Sequence, residues 1–187
     1  MRKWLVALLI LIVLAGGAAA GAYWYVSPSQ PLDLQYEEVP LEQRALDMVR
    51  RLKPELVLSE EDVDNLGKKQ LAAEPEYRPG LLITGARFRL EDRLLVADVN
   101  AKWRNRVPLG LQIAYRVRWE SPNLIAEVVE AKLKDIRLPE GTVDDVVIPL
   151  GDELPKLLKV RDVRLEGGKV TVEFRKPSLQ DLADLLG

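Results

Sequence analysis

The stretch Val107-Pro108-Leu109-Gly110-Leu111-Gln112-Ile113-Ala114-Tyr115-Arg116-Val117-Arg118-Trp119 alternates without a break. Every odd position is apolar, and the even positions are polar, basic or small. Successive side chains on an extended strand point to opposite faces, so this period of two predicts a strand with one apolar face and one solvated face. Thirteen residues at about 3.3 Å each make a strand of some 43 Å, well above the usual five or six residues. The preceding segments share the pattern. Ala86, Phe88 and Leu90 alternate with Arg87 and Arg89, and Leu95, Ala97, Val99, Ala101 and Trp103 alternate with Asp98, Asn100 and Lys102. A fourth run, Ile125 to Leu138, has Val129, Ala131 and Leu133 in one phase and Ile136 and Leu138 in the other, which predicts a β-bulge near Lys134-Asp135. Short turns at Glu91–Arg93, Asn105–Arg106 and Ser121–Asn123 join these runs into an antiparallel meander.

Shorter elements flank the meander. Upstream, Glu55 to Leu58 reads as a strand, and Ser59 caps a helix whose first turn holds Glu60, Glu61 and Asp62 at the positive end of the helix dipole. Helix-start electrostatics account for that acidic cluster without a metal or catalytic site. Leu41, Ala45, Met48, Val49 and Leu52 form a helical stripe between Pro40 and Pro54. Downstream, Val143, Val146, Val147 and Leu150 share a helical face, continued by Leu154, Leu157 and Leu158. The segment Val163 to Phe174 is a hairpin about Gly167-Gly168, whose register sets Glu166 opposite Lys169, Leu165 opposite Val170 and Val163 opposite Val172. Ser178 caps a closing helix with Leu179, Leu182, Leu185 and Leu186 inward.

At the amino terminus, Trp4 to Val26 carries no charge. Those 23 positions span about 34 Å as a helix, enough to cross a hydrocarbon core of about 30 Å. Arg2 and Lys3 precede the run and keep that end cytoplasmic, while Trp4 at one end and Tyr23, Trp24 and Tyr25 at the other suit the two headgroup layers. A cleaved signal peptide also fits, with small residues at Ala18-Ala19-Ala20 or Ala20-Gly21-Ala22 as its cleavage site. The apolar run continues past those residues, which favours a retained single-pass anchor. Either way the remainder is exported. Ser27-Pro28-Ser29-Gln30-Pro31 reads as a linker.

Composition removes whole classes of chemistry. The 187 residues include no Cys and no His, which excludes disulfides, thiolate nucleophiles, Ser–His–Asp and Cys–His catalysis, and the commonest zinc ligands. The near balance of 27 basic and 29 acidic residues argues against a nucleic-acid binder. Asp144-Asp145 is an acid pair, but side chains adjacent on a helix diverge and cannot share a proton or a metal. Gly167-Gly168 joins two strands instead of opening a helix, so it is not a phosphate loop. The expectation is a non-enzyme with no catalytic residue, no metal and no cofactor.

A long twisted antiparallel sheet must close, stack or wrap something. Too few helices accompany this one to cover it, so the reading is a sheet curled around a helix, with an apolar groove suited to an acyl chain. Its lining would be Phe88, Val99, Trp103, Val107, Leu109, Leu111, Ile113, Tyr115, Val117 and Trp119. A closed core in which those residues pack on one another fits the same periodicity, and periodicity alone favours it. On the solvated face, Arg87, Arg89, Arg104, Arg106, Arg116 and Arg118 belong to a segment with eight basic and three acidic residues between 87 and 118. They form either a patch for anionic headgroups or wall polymer, or a solvated face protected from edge pairing.

The order of these features resembles a known family. The uncharged amino-terminal run, ELVLSEEDVDNL at 55–66, the meander, Asp135 to Pro139, Leu154-Pro155 with Leu157-Leu158, and VRLEGGKVTVEF at 163–174 are similar to the YpmS-like membrane-anchored proteins of bacteria, and more distantly to the LmeA-like exported proteins. These resemble the tubular lipid-binding (TULIP, BPI-like) superfamily. The likeness covers roughly residues 55–176 and departs at Gly67, where the family carries a larger apolar residue. It implies a half-pipe sheet wrapped on a helix, and lipid binding or transfer at the outer face of the cytoplasmic membrane.

The expected chain is therefore α+β: a transmembrane helix or signal peptide over 1–26, a linker and amphipathic helix over 27–54, and an extracytoplasmic β-rich domain over 55–187. Its expected partner is a membrane lipid. A fully packed interaction module with an envelope protein partner is the alternative, and action as a homodimer joining two half-pipes stays open.

Overall fold

A computed structural model describes residues 2–41, 43, 44, 48, 54–149 and 158–175, with backbone alone over 2–9. The fold is α+β, with a curled antiparallel half-barrel sheet accompanied by helices. The expected closing helix after Ser178 and the stripe through Leu154 and Leu157 lie outside the described residues. Of the expected 41–52 helix, Leu41, Gln43, Arg44 and Met48 are helical.

Helix α1 runs from Arg2 to Val26 and is exposed from residue 10 to residue 25. Among the described residues no helix is long and apolar enough to cross a membrane. Side chains of α1 are described over 10–26, whereas the uncharged run starts at Trp4. Helix α2, Glu60–Ala73, begins with a capping box between Ser59 and Asp62. The Asp62 amide donates to the Ser59 hydroxyl, and the Ser59 amide donates to the Asp62 carboxylate at 2.8 Å.

Among the described residues ten strands form two sheets: β1 Glu55–Ser59, β2 Glu76–Arg78, β3 Leu81–Glu91, β4 Leu94–Trp103, β5 Val107–Glu120, β6 Asn123–Leu133, β7 Ile136–Arg137, β8 Val146–Ile148, β9 Val160–Glu166 and β10 Lys169–Phe174. The large sheet has the order β2-β3-β4-β5-β6-β7, and β8 pairs with β6. The small sheet has the order β1-β10-β9. The meander stands as its periodicity predicts, and the β9–β10 hairpin has the predicted register.

Two local readings are corrected. The bulge is at Val129, not at Lys134-Asp135: Glu130 pairs with Ala114 and Val128 with Tyr115, leaving Val129 over, 44% exposed. Ala126 and Val128 face inward on one side of it and Ala131 and Leu133 on the other, and the second change of phase, between Leu133 and Ile136, belongs to the turn that follows. Lys134, at φ 53°, begins the tight turn from β6 into β7. Residues 146–148 form an edge strand, not a helix. The spacing of Val143, Val146 and Val147 fits a helical face, but three β-branched residues stopped by Pro149 pack better on a pleated edge.

The core has two centres on the inner face of the curl. One joins Leu90, with Leu95, Val117, Trp119 and Leu124 packed against it, to Val160, Val163, Leu165, Val170, Val172 and Phe174 of the small sheet. The other joins Ile83, Ala97, Val99, Ile113, Tyr115, Ala126 and Ala131, and receives Leu71 of α2, Leu34, Leu138 and Val143. The first centre lies toward the turns at residues 92–93 and 121–122, the second nearer the middle of the strands.

Residues 27–38 are no loose linker. They form a strap across the solvated face, over a row that Gly85, Asn100 and Gly110 make as register partners on β3, β4 and β5. The Asn100 amide donates to the Gln30 carbonyl at 2.7 Å, and a Cβ on Gly110 would stand 2.8 Å from Pro28 Cα. The strap then rounds the β3 edge, where the Ala86 amide donates to the Asp33 carbonyl at 3.0 Å. It ends on α2, with the Glu37 amide on Asn65 and Glu38 paired with Lys69.

Candidate functional site

The ten expected groove residues share one face. Register pairs Val99 with Leu111 and Trp103 with Val107, while Phe88 and Ile113 both oppose Ala97. Their surroundings differ along the strands. Phe88, Val99, Leu111, Ile113, Tyr115, Val117 and Trp119 belong to or pack against the two core centres, covered by the small sheet, α2 and the 138–143 loop. Trp103, Val107 and Leu109 continue the same apolar face beyond the last packed residue and, among the described residues, belong to neither centre. Trp103 is 47% exposed. The face is thus filled over most of its length; toward the Arg104–Arg106 turn Val107 and Leu109 are half-buried, and Trp103 alone of the ten is exposed.

Two devices shape the covered part. Gly67 on α2 lies against Phe88, and a Cβ there would approach the ring to under 3.0 Å. The helix can sit that close to β3 only with glycine at this point. The 138–145 loop is latched where Asp144 accepts from Arg78 at 2.5 Å and from the Tyr77 hydroxyl at 3.2 Å, while the Asp144 amide donates back to that hydroxyl. These contacts hold the Asp144 carboxyl below its ordinary range, with the Arg78 guanidinium the main cause. Asp145 accepts from the Val128 amide at 2.7 Å, beside the bulge. The acid pair is not helical, and its two carboxylates take separate partners.

Tyr115 sits under this loop. Burial pushes its phenol up to about 12, with Tyr77 and Asp145 adding to the effect, so it stays neutral and cannot serve as a base at physiological pH. Among the described residues no group of three or more acidic side chains is placed to hold a metal ion.

The six arginines do not make one free patch. Arg89 pairs with Glu91 and Asp98, and Arg118 with Glu120 and Glu127. Arg116 stands opposite Glu127, and Arg87 opposite Asp98, in register. Arg104 and Arg106 lie apart from these, at the opposite end of β5, and the Arg104 guanidinium stacks 4.8 Å above the Trp103 ring. Beneath the strap is a cleft of ≈ 320 Å³ lined by Ser29, Gln30, Leu32, Asp98, Asn100, Gly110, Leu111, Gln112, Lys134 and Asp135. Its lining is mostly polar and does not suit a hydrocarbon chain.

The strap's glycine row, the β3 edge caps and the loop latch are invisible to periodicity, because each joins residues remote in sequence. One trace existed: Gly85 and Gly110 are the two glycines inside strand patterns, the usual mark of a close backbone approach. No family model, curated protein or solved structure matches this chain.

Proposed function

We propose that this is a non-catalytic, single-pass membrane protein whose exported domain binds or transfers a lipid, taking an acyl chain on the uncovered end of its apolar sheet face. The retained anchor, the extracytoplasmic location and the likeness to YpmS-like, TULIP-type proteins are parts of this reading. The observation that carries it is the apolar stripe Trp103, Val107 and Leu109, which outruns the material packed on the inner face. An apolar face that outruns its packing and ends on the exposed Trp103 supports docking of something apolar at this end.

Lipids co-purifying with residues 27–187 and identified by mass spectrometry test the reading. The wild-type fragment is expected to carry acyl lipid, and Val107→Glu/Leu109→Glu to lose it while keeping its thermal transition. Lipid-free wild type, or a double variant that retains the lipid, would overturn the proposal.

A second reading is a tethered interaction module for an envelope protein. The dense packing of Val117 and Trp119 against the small sheet favours it. It predicts stable capture of one partner that weakens on Arg116→Glu/Arg118→Glu.

A further inference from the structure

The two ends of the large sheet are chemically unlike. One end holds the turns at residues 92–93 and 121–122. The other holds the Arg104–Arg106 and Lys134-Asp135 turns, and α1 finishes there. Tyr25 Oη is 3.5 Å from Asp135 Oδ2, and Lys134 Nζ lies 5.9 and 5.4 Å from the Trp24 and Tyr25 ring centres. Pro28 already touches Gly110, and Gln30 already accepts from Asn100. Only a few residues separate the helix end from the sheet, and they are fastened. The domain has no slack with which to turn its other end toward α1.

This end also carries unpaired cations, beside the acids Glu76 and Asp135. No acidic residue occurs between Asp98 and Glu120, and among the described residues Lys102 and Arg106 form no ion pair. Trp103 is exposed beside them under Arg104. An indole flanked by unpaired cations suits the boundary between acyl chains and anionic headgroups.

We infer that the Lys102–Arg106 end of the domain rests on the anionic headgroup layer of the leaflet from which α1 emerges. This rests on the proposed reading of α1 as a retained anchor. In that pose the exposed Trp103 and the half-buried Val107 and Leu109 behind it meet the bilayer first, so an acyl chain reaches this end of the face without crossing water.

The absence of natural cysteine makes single labelling clean. Full-length R106C and R93C each exchange one arginine for a labelled cysteine, at opposite ends of β4, about 33 Å apart for ten residues. Each is reconstituted in vesicles of phosphatidylcholine with phosphatidylglycerol that contain a headgroup-spin-labelled lipid. The expected result is strong quenching at 106 and little at 93, with the quenching at 106 reduced in phosphatidylcholine alone and by Lys102→Glu/Arg104→Glu. Protein that stays in the vesicles through an alkaline wash but shows equal quenching at both sites, or none at 106, overturns this inference and leaves the anchor intact. Protein that washes off overturns the anchor reading and this inference with it.

Discussion

Asp62 shows how much of this domain hangs on one carboxylate. It closes the capping box with Ser59 and receives both guanidinium nitrogens of Arg44, at 2.7 and 2.8 Å. The Arg44 hydrogen bonds, ahead of those from Ser59, draw its pKa down to about 2 against burial that opposes them. A carboxyl depressed on folding stabilises the native state above its ordinary value and loses that contribution as the pH falls. The shift corresponds to about 2 kcal/mol, trimmed toward 1 because Arg44 is 34% exposed. Asp62→Asn should therefore cost roughly 1–2 kcal/mol at neutral pH. That deficit should shrink between about pH 4 and pH 2, as urea unfolding at each pH would show; a deficit independent of pH would contradict the assignment. Gly67 is decisive for a steric reason. Gly67→Leu must displace the Phe88 ring or lift α2, which should cost about 1–3 kcal/mol by thermal unfolding, and Phe88→Ala should relieve much of that penalty in the double variant.

At the level of elements, the free edge of β3 explains the acidic start of α2. Beyond its short pairing with β2, β3 has no neighbouring strand on that side among the described residues. Its outward amides at Ala86, Phe88 and Leu90 are taken by the Asp33 carbonyl, Asp64 at 2.7 Å and Glu60 at 2.8 Å. An open edge invites pairing with other chains, and carboxylate caps close it. Glu60→Ala/Asp64→Ala should speed hydrogen exchange at the Leu90 and Phe88 amides and cost about 1 kcal/mol for each bond lost. Unchanged exchange at those two amides would refute the capping role. The helix-dipole reading of Glu60 was thus half of the account, since the dipole is local and the edge it serves lies thirty residues on. The long strands and the Gly-Gly hairpin were legible because period two and turn chemistry are local properties. The pairing of β1 with β10 was not, since nothing in Glu55–Ser59 specifies a partner near residue 170. Of the site, the shared apolar face could be read from alternation. Which part of it stays uncovered depended on where α2, the small sheet and the Leu138 and Val143 contacts come to lie.

For the whole molecule, the strap makes residues 27–38 part of the fold. A fragment starting at residue 39 exposes the Gly85, Asn100 and Gly110 row and leaves the Asn100 amide without its acceptor. It should melt well below the 27–187 fragment, and matching melting curves would refute the clamp. The same arrangement joins sequence order to the order of assembly. The belt is synthesised first, yet its buckle is distributed over residues 85, 100 and 110, so it cannot fasten until β5 has been delivered. A chain synthesised from its amino end must therefore hold its own lashing open while most of the sheet arrives behind it. Until that moment the nascent domain hangs free of the helix that leads it. Only on closure does the orientation of the finished body become locked.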